Sequence, residues 1–288
     1  MYSRILDITP RLMWNEFNGY CGETSFICAG LYYGQYYSQY DMRTHAYYKG
    51  HKAQTDCQLL LGVNDIEAAR RSDLNYTPHK FYDHKDCLAW IKHMIYLGHP
   101  VAVGLYMNNS IFQDGSTDGE YDHIVLVTGF ESKHKLDDGL FHEEDIIIFS
   151  DHGLYTPNEP NNPPFLFARK CSDFVRDRKD SSKKNAPAYS LPKDAQHVGV
   201  FKGRYSSLPL QLRPAKNSEI PDIHKNGKRP TARPLNISAF VDNLDPFSRY
   251  RITDNHGHEA IITGVSSWSR LSSIKTSEKL IYKLEILE

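Results

Sequence analysis

Three short apolar runs in the middle of the chain, PVAVGLYM (100–107), HIVLVTGF (123–130) and DIIIFSDHG (145–153), constrain its fold most sharply. Each is rich in Val and Ile and bounded by Gly, Asp or Asn, the pattern of a strand closed off by turn residues. A polar loop, NNSIFQDGSTDGEYD, separates the first two, and a charged excursion, ESKHKLDDGLFHEE, separates the second two. Just before them, DHKDCLAWIKHMIYLGHP (83–100) places Cys87, Leu88, Ile91, Met94 and Ile95 at i, i+1, i+4, i+7 and i+8. That spacing draws one apolar stripe on a helix, with Asp83 as its cap, Gly98 at its end and Pro100 barring continuation. NDIEAARRSDL predicts a second, shorter amphipathic helix capped by Asn64 or Asp65. Helices in the first third followed by a sheet are the order of an α+β domain.

From about residue 155 the character changes. TPNEPNNPPF is proline-rich, and RKCSDFVRDRKDSSKK (169–184) alternates charges, as a solvated loop or short helix does. Then HVGVFKGRY, PLQLRP, PLNISAFVDNL, RYRITDN, HEAIITGVSSW and KLIYKLEIL follow at roughly ten-residue spacing with turn signals between them. They predict a small antiparallel β-sandwich or barrel. The expected division is a first domain over 1–185 and a β domain over 186–288, and 288 residues suffice for both without staples.

The charge balance, 34 Lys and Arg against 35 Asp and Glu, provides no net basic field for nucleic acid. No run approaches the length of apolar residues that spans a bilayer. The opening MYSRILDITPRLMW lacks the form of a signal peptide, which fits a cytoplasmic protein or a secreted one whose leader has been removed. Five cysteines, at 21, 28, 57, 87 and 171, are odd in number and unevenly spaced, with no C-x-x-C pair. They make neither a disulfide framework nor a cysteine zinc site. His256 and His258 alternate on one strand face of TDNHGHEA without a third ligand, so a turn is expected there. No metal and no cofactor is assigned, and the oligomeric state stays open.

Cys21, in NEFNGYCGETSF, is the thiol whose surroundings suit chemistry. Cys28 lies two turns further along the same helical run and Cys87 on the apolar stripe, so both read as core. A nucleophilic cysteine reacts as the thiolate, which a helix N-terminus and an adjacent imidazolium favour. Cys21 opens the run GETSFICAGL, and Gly22 leaves the backbone beside it unobstructed. His123 begins a strand directly after a flexible loop, where a base is held rigidly beside an opening. Asp151 ends the following strand and can orient the imidazole, with Asp122 and Asp145 as competitors for that role. Asn15 carries a side-chain amide fit for an oxyanion, with Asn18 as the neighbour that could instead cap or turn the chain. Trp14, Tyr20 and Tyr121 flank these positions as substrate contacts or plain packing.

In this order YCGETSF, GHPVAVGLY, YDHIVLVTGF and IIIFSDHG resemble the papain-like cysteine peptidases over residues 10 to 155. Within that clan the likeness is to the bacteriocin-leader-processing (double-glycine) peptidases and their stand-alone relatives, and more distantly to phytochelatin synthases. The resemblance implies a papain-like catalytic domain of N-terminal helices and an antiparallel sheet. It implies Cys21 as nucleophile, His123 as general acid and base, Asp151 as its orienting partner and Asn15 as oxyanion donor. Trp14, Gly22, Glu23, Tyr121 and Asp122 would then border the substrate, a peptide or other amide. Two departures stand out: Asn15 replaces the family's usual Gln, and Glu23 replaces a proline or small residue, setting a carboxylate near the thiol. The implied reaction is amide hydrolysis through a thioester. With an amine as acceptor the same site is a transpeptidase, cyclase or transamidase. A reading from another class is an idle scaffold whose β domain binds a partner, and a metal-dependent hydrolase using histidines is a third.

Overall fold

The computed structural model describes residues 1–11, 13, 19–47, 57–112, 117–151, 166–214, 234–275 and 277–287. The first half of the chain contains β1 (Tyr2–Ile5), α1 (Cys21–Tyr32), β2 (Gln35–Tyr36), α2 (Gln39–Ala46), α3 (Asp65–Arg71), β3 (Leu74–His79) and α4 (His84–Leu97). The strands β4 (Val101–Met107), β5 (His123–Ser132), β6 (Ile146–Ser150) and β7 (Leu166–Lys170) follow. Short elements come next: α5 (Cys171–Phe174), β8 (Val175–Arg176), α6 (Arg178–Ser181), β9 (Tyr189–Pro192) and β10 (Val198–Arg204). The remainder is β11 (Gln211–Pro214), β12 (Pro234–Val241), β13 (Arg249–Asp254), β14 (Glu259–Thr263), β15 (Trp268–Lys275) and β16 (Leu280–Leu287). The protein is therefore mixed α+β, with few helices and mostly antiparallel sheets. No helix among the described residues is long and apolar enough to cross a membrane.

The Val- and Ile-rich runs form the central strands because a sheet buried on both faces needs apolar residues at every position. All of β4, and β5 from His123 to Phe130, is buried. Each fully buried Val, Leu or Ile contributes roughly 1.5–3 kcal/mol. The helix α4 is bounded as the sequence reads. Asp83 accepts the Lys85 N–H at 2.8 Å, and Gly98 closes the helix with φ of 90°, which suits a residue lacking Cβ.

The chain divides into two compact units. The first comprises Met1–Pro10, Leu60–Ile66 and Tyr76–Phe201. Its sheet runs β3-β10-β4-β5-β6-β7, with β1 on β5, β9 on β4 and β8 beside β9. β8 and β9 pair in parallel. Close packing dictates glycine at two positions: a Cβ at Gly104 would meet Tyr121 Cγ at 2.7 Å, and one at Gly199 would meet Tyr76 Oη at 2.0 Å.

The second unit comprises Arg11–Leu59, Glu67–Asn75 and Lys202–Glu288. Helix α1 is buried on all sides from Gly22 to Leu31, and Ser38 Oγ caps α2 by accepting the Asp41 N–H at 3.1 Å. The strands form two antiparallel sheets, β11-β12-β15 and β14-β13-β16-β2. The expected single cut after residue 185 differs from this grouping. β9 and β10 pair with β4 in the first unit, while β16 pairs with β2 beside α1, at Leu280–Tyr36 and Ile281–Gln35. The stretch 169–184, read as solvated loop or short helix, holds two four-residue helices with Cys171, Phe174 and Ser181 buried.

Candidate active site

His123 is the first residue of β5, paired with Leu105 of β4. On the other edge of β5, Leu126 pairs with Ser150, the last residue of β6. One further step along that register sets Asp151 opposite residue 125, on the same face as His123 because strand side chains alternate. The two are thus diagonal neighbours, close enough for long side chains to meet. They do meet: His123 Nε2 lies 3.1 Å from Asp151 Oδ1.

Behind them stands Tyr189 of β9, whose hydroxyl donates to Asp151 Oδ2 at 2.9 Å. Its ring stacks on the imidazole, with centroids 5.2 Å apart and planes 19° apart. Phe112 stacks on Tyr189 in turn, and Phe149 and Phe167 meet it edge-on. Asp151 is wholly buried and His123 is 2% exposed. With its Nε2 proton on Asp151, the ring carries its basic lone pair on Nδ1. The arrangement can therefore accept a proton at Nδ1 and stabilise the resulting imidazolium through a fixed carboxylate.

The competing aspartates have other partners. Asp122 takes Arg178 bidentately at 2.5 and 2.6 Å and accepts the Met107 N–H at 2.8 Å. Arg178 also lies over the Tyr106 ring. Asp145 is buried against Lys92 at 3.2 Å. Asp122, expected beside the substrate, is thus held by Arg178 and the β4 backbone, and Asp145 by Lys92. Tyr121 packs on Gly104 and against the His197 ring, and its hydroxyl donates to the Leu61 carbonyl at 3.3 Å.

Cys21, in the second unit, is the first residue of α1. All five cysteines are free thiols; Cys21 is half-buried, and Cys28, Cys57, Cys87 and Cys171 are buried. Burial pushes the Cys28 thiol up to about 12 and raises those of Cys87 and Cys171 as well. Cys57 donates its S–H to the Ala46 carbonyl at 3.1 Å. Access and helix position therefore single out Cys21.

Gly22 and Glu23 follow within the buried helix. Glu23, expected at the substrate, points inward. Its Oε1 holds Arg43 Nε at 2.7 Å and accepts the Leu59 N–H at 3.0 Å, and both charged side chains are 1% exposed. Burial pushes the Glu23 carboxyl above its ordinary value, and Arg43 pulls against that. Arg43 also donates to the Gly19 carbonyl and lies 3.5 Å over the Tyr20 ring. Because Arg43 matches its charge, Glu23 opposes a thiolate less than a lone carboxylate would. Burial also pushes the Tyr20 hydroxyl up to about 12, which keeps it protonated.

Asn15, Trp14 and Asn18 lie outside the described residues. The sequence reading missed Tyr189 and Arg43. One is among 19 tyrosines and the other among 34 basic residues, each joined to its partner across a long stretch of chain, with no local signal. No protein-family model matches the chain, and neither the curated proteins nor the solved structures contain a match to it.

Proposed function

We propose that the protein is a cysteine-nucleophile amide hydrolase of papain-like type, acting on a peptide or other amide. The observation that carries this reading is the His123–Asp151–Tyr189 arrangement, a base with its orienting acid and a support for that acid. A second, separate observation supports it: among the five cysteines only Cys21, at the start of a helix of the second unit, is not buried. In the proposed reaction the Cys21 thiolate attacks the amide carbonyl carbon, forming a C–S bond as the carbonyl oxygen becomes an oxyanion. His123, as imidazolium, gives its Nδ1 proton to the leaving nitrogen as the C–N bond breaks, leaving a thioester. It then takes a proton from water, which attacks the thioester and releases the acid and the thiolate. The Cys21 backbone N–H and the Asn15 amide would hold the oxyanion in both steps. An amine in place of that water gives a transpeptidase, cyclase or transamidase.

The reaction demands that Cys21 react faster because of His123. Access alone favours Cys21 in alkylation, so the test compares variants rather than cysteines. Brief iodoacetamide treatment near pH 6 with peptide mapping is expected to label Cys21 in the wild type. In His123→Ala the rate should fall on the order of 100-fold, the scale of a lost general base. Equal rates in both proteins overturn the proposal. A second reading, an idle scaffold, draws on the near-complete burial of His123. It predicts that His123→Ala lowers stability and leaves Cys21 labelling unchanged.

A further inference from the structure

The loop joining β5 to β6 carries a second cluster of chemistry-bearing side chains, at the opposite end of these strands from His123 and Asp151. His134, Asp138 and His142 each present one ligand atom there, and the three atoms lie within 4.8 Å of one another. His142 Nε2 is 2.7 Å from Asp138 Oδ2, and the two imidazoles stack with centroids 3.7 Å apart and planes 14° apart. We propose that these three residues bind a divalent transition cation of the Zn²⁺ class, through two imidazole nitrogens and one carboxylate oxygen.

The carboxylate is held from behind. Asp138 Oδ1 faces the Lys92 ammonium at 2.8 Å and accepts the Leu140 N–H at 3.0 Å, so Oδ2 is the oxygen turned to the histidines. Lys92 is 1% exposed and also holds the Leu140 carbonyl at 2.6 Å and Asp145 at 3.2 Å. Lys92 is thus shared between the Asp138 and Asp145 carboxyl groups, one cation facing two acids, which leaves room for a second cation at Asp138 Oδ2. His134 is tied at its backbone, where its N–H donates to Ser132 Oγ at 2.9 Å. Such outer partners fix first-ligand orientation in metal sites.

Tetrahedral coordination at about 2.0–2.1 Å sets donor atoms roughly 3.3 Å apart. The cluster reaches that by side-chain rotation, with one imidazole leaving the stack and His142 Nε2 transferring from Asp138 to the metal. The proton on that nitrogen moves to Nδ1 or, from an imidazolium, to water. Nitrogen donors select Zn²⁺, Co²⁺ or Ni²⁺ over Ca²⁺ and Mg²⁺, which prefer oxygen cages. His134 is exposed, so water completes the shell.

The test is titration of the full chain with ZnCl₂ by calorimetry, and with CoCl₂ by visible absorption. A Cys21→Ser background removes the accessible thiol as a competing ligand. One equivalent is expected to bind at micromolar concentration, with the visible bands of tetrahedral Co²⁺. Affinity is expected to fall on the order of tenfold or more in His134→Ala and in His142→Ala, and to be unchanged in His256→Ala/His258→Ala. His134→Ala removes an exposed ring and leaves the Asp138–His142 pair intact, so its fold is expected to survive, with circular dichroism as the check. Unaltered Zn²⁺ affinity in His134→Ala/His142→Ala, or no binding up to millimolar Zn²⁺, overturns the proposal.

Discussion

Arg43→Met removes a guanidinium that is 1% exposed and holds the Glu23 carboxylate, the Gly19 carbonyl and the Tyr20 ring. Methionine fills much of the same space, so the change reports on charge more than on a cavity. Two unit charges about 4 Å apart at an effective dielectric of about 20 interact by roughly 4 kcal/mol. The stacking on Tyr20 adds about 1 kcal/mol. These sums agree with the about 3–5 kcal/mol lost when one member of a buried ion pair is removed. Glu23 is then stranded, and it protonates or pays to stay charged. Its carboxyl is already raised by burial, with Arg43 opposing, so loss of Arg43 raises it further. A folded-state pKa above the unfolded one means that the folded protein binds more protons, so this contribution falls as pH rises through the folded value. The deficit of Arg43→Met is therefore smallest in acid, where Glu23 is protonated in both proteins, and grows as pH rises from the wild-type carboxyl value toward the higher one of the variant. Urea unfolding followed by circular dichroism at about pH 5 and about pH 8 measures both quantities. Glu23→Gln/Arg43→Met, which removes the stranded charge, is expected to recover at least half of the loss. A cost below about 1 kcal/mol at the higher pH, or an equal cost at both, refutes the reasoning.

Gly199→Ala would set a Cβ 2.0 Å from Tyr76 Oη, and that hydroxyl is pinned by its 2.9 Å bond to buried Asp65. A destabilisation of about 1–3 kcal/mol is expected in urea, the range for overpacking; a neutral change would show that Tyr76 gives way freely. Tyr189→Phe deletes the donor to Asp151 Oδ2 in a buried site. It is expected to cost about 1–3 kcal/mol and to slow the His123-dependent labelling of Cys21. Stability loss with unchanged labelling would make Tyr189 a packing residue only.

The elements that the sequence revealed are those whose signal is local. The stripe and caps of α4 lie within one stretch, as do the runs that became β4, β5 and β6, and all appear where their patterns put them. The meeting of His123 with Asp151 was legible for a related reason, since two adjacent antiparallel strands bring their ends together by register. Long-range partners were not legible. Glu23 reads as a carboxylate bordering the substrate in a first helical turn until Arg43, twenty residues on, is seen holding it in the interior. Short strands escaped as well. β2 has two residues, too few to show any period, and it exists because β16 pairs with it.

That pairing has a consequence for synthesis on the ribosome. The first unit has all of its strand partners once residue 201 has emerged. The second does not, because Gly34, just after α1, accepts the Tyr282 N–H at 3.0 Å and β2 pairs with β16. A lone helix of α1's length is marginal in water. At about 5–20 residues per second, the segment bearing Cys21 waits on the order of tens of seconds for its last neighbour. A nascent chain halted short of residue 280 therefore lacks the strand that pairs with β2, and the segment that follows the Cys21 helix keeps an unpaired edge until that strand has emerged.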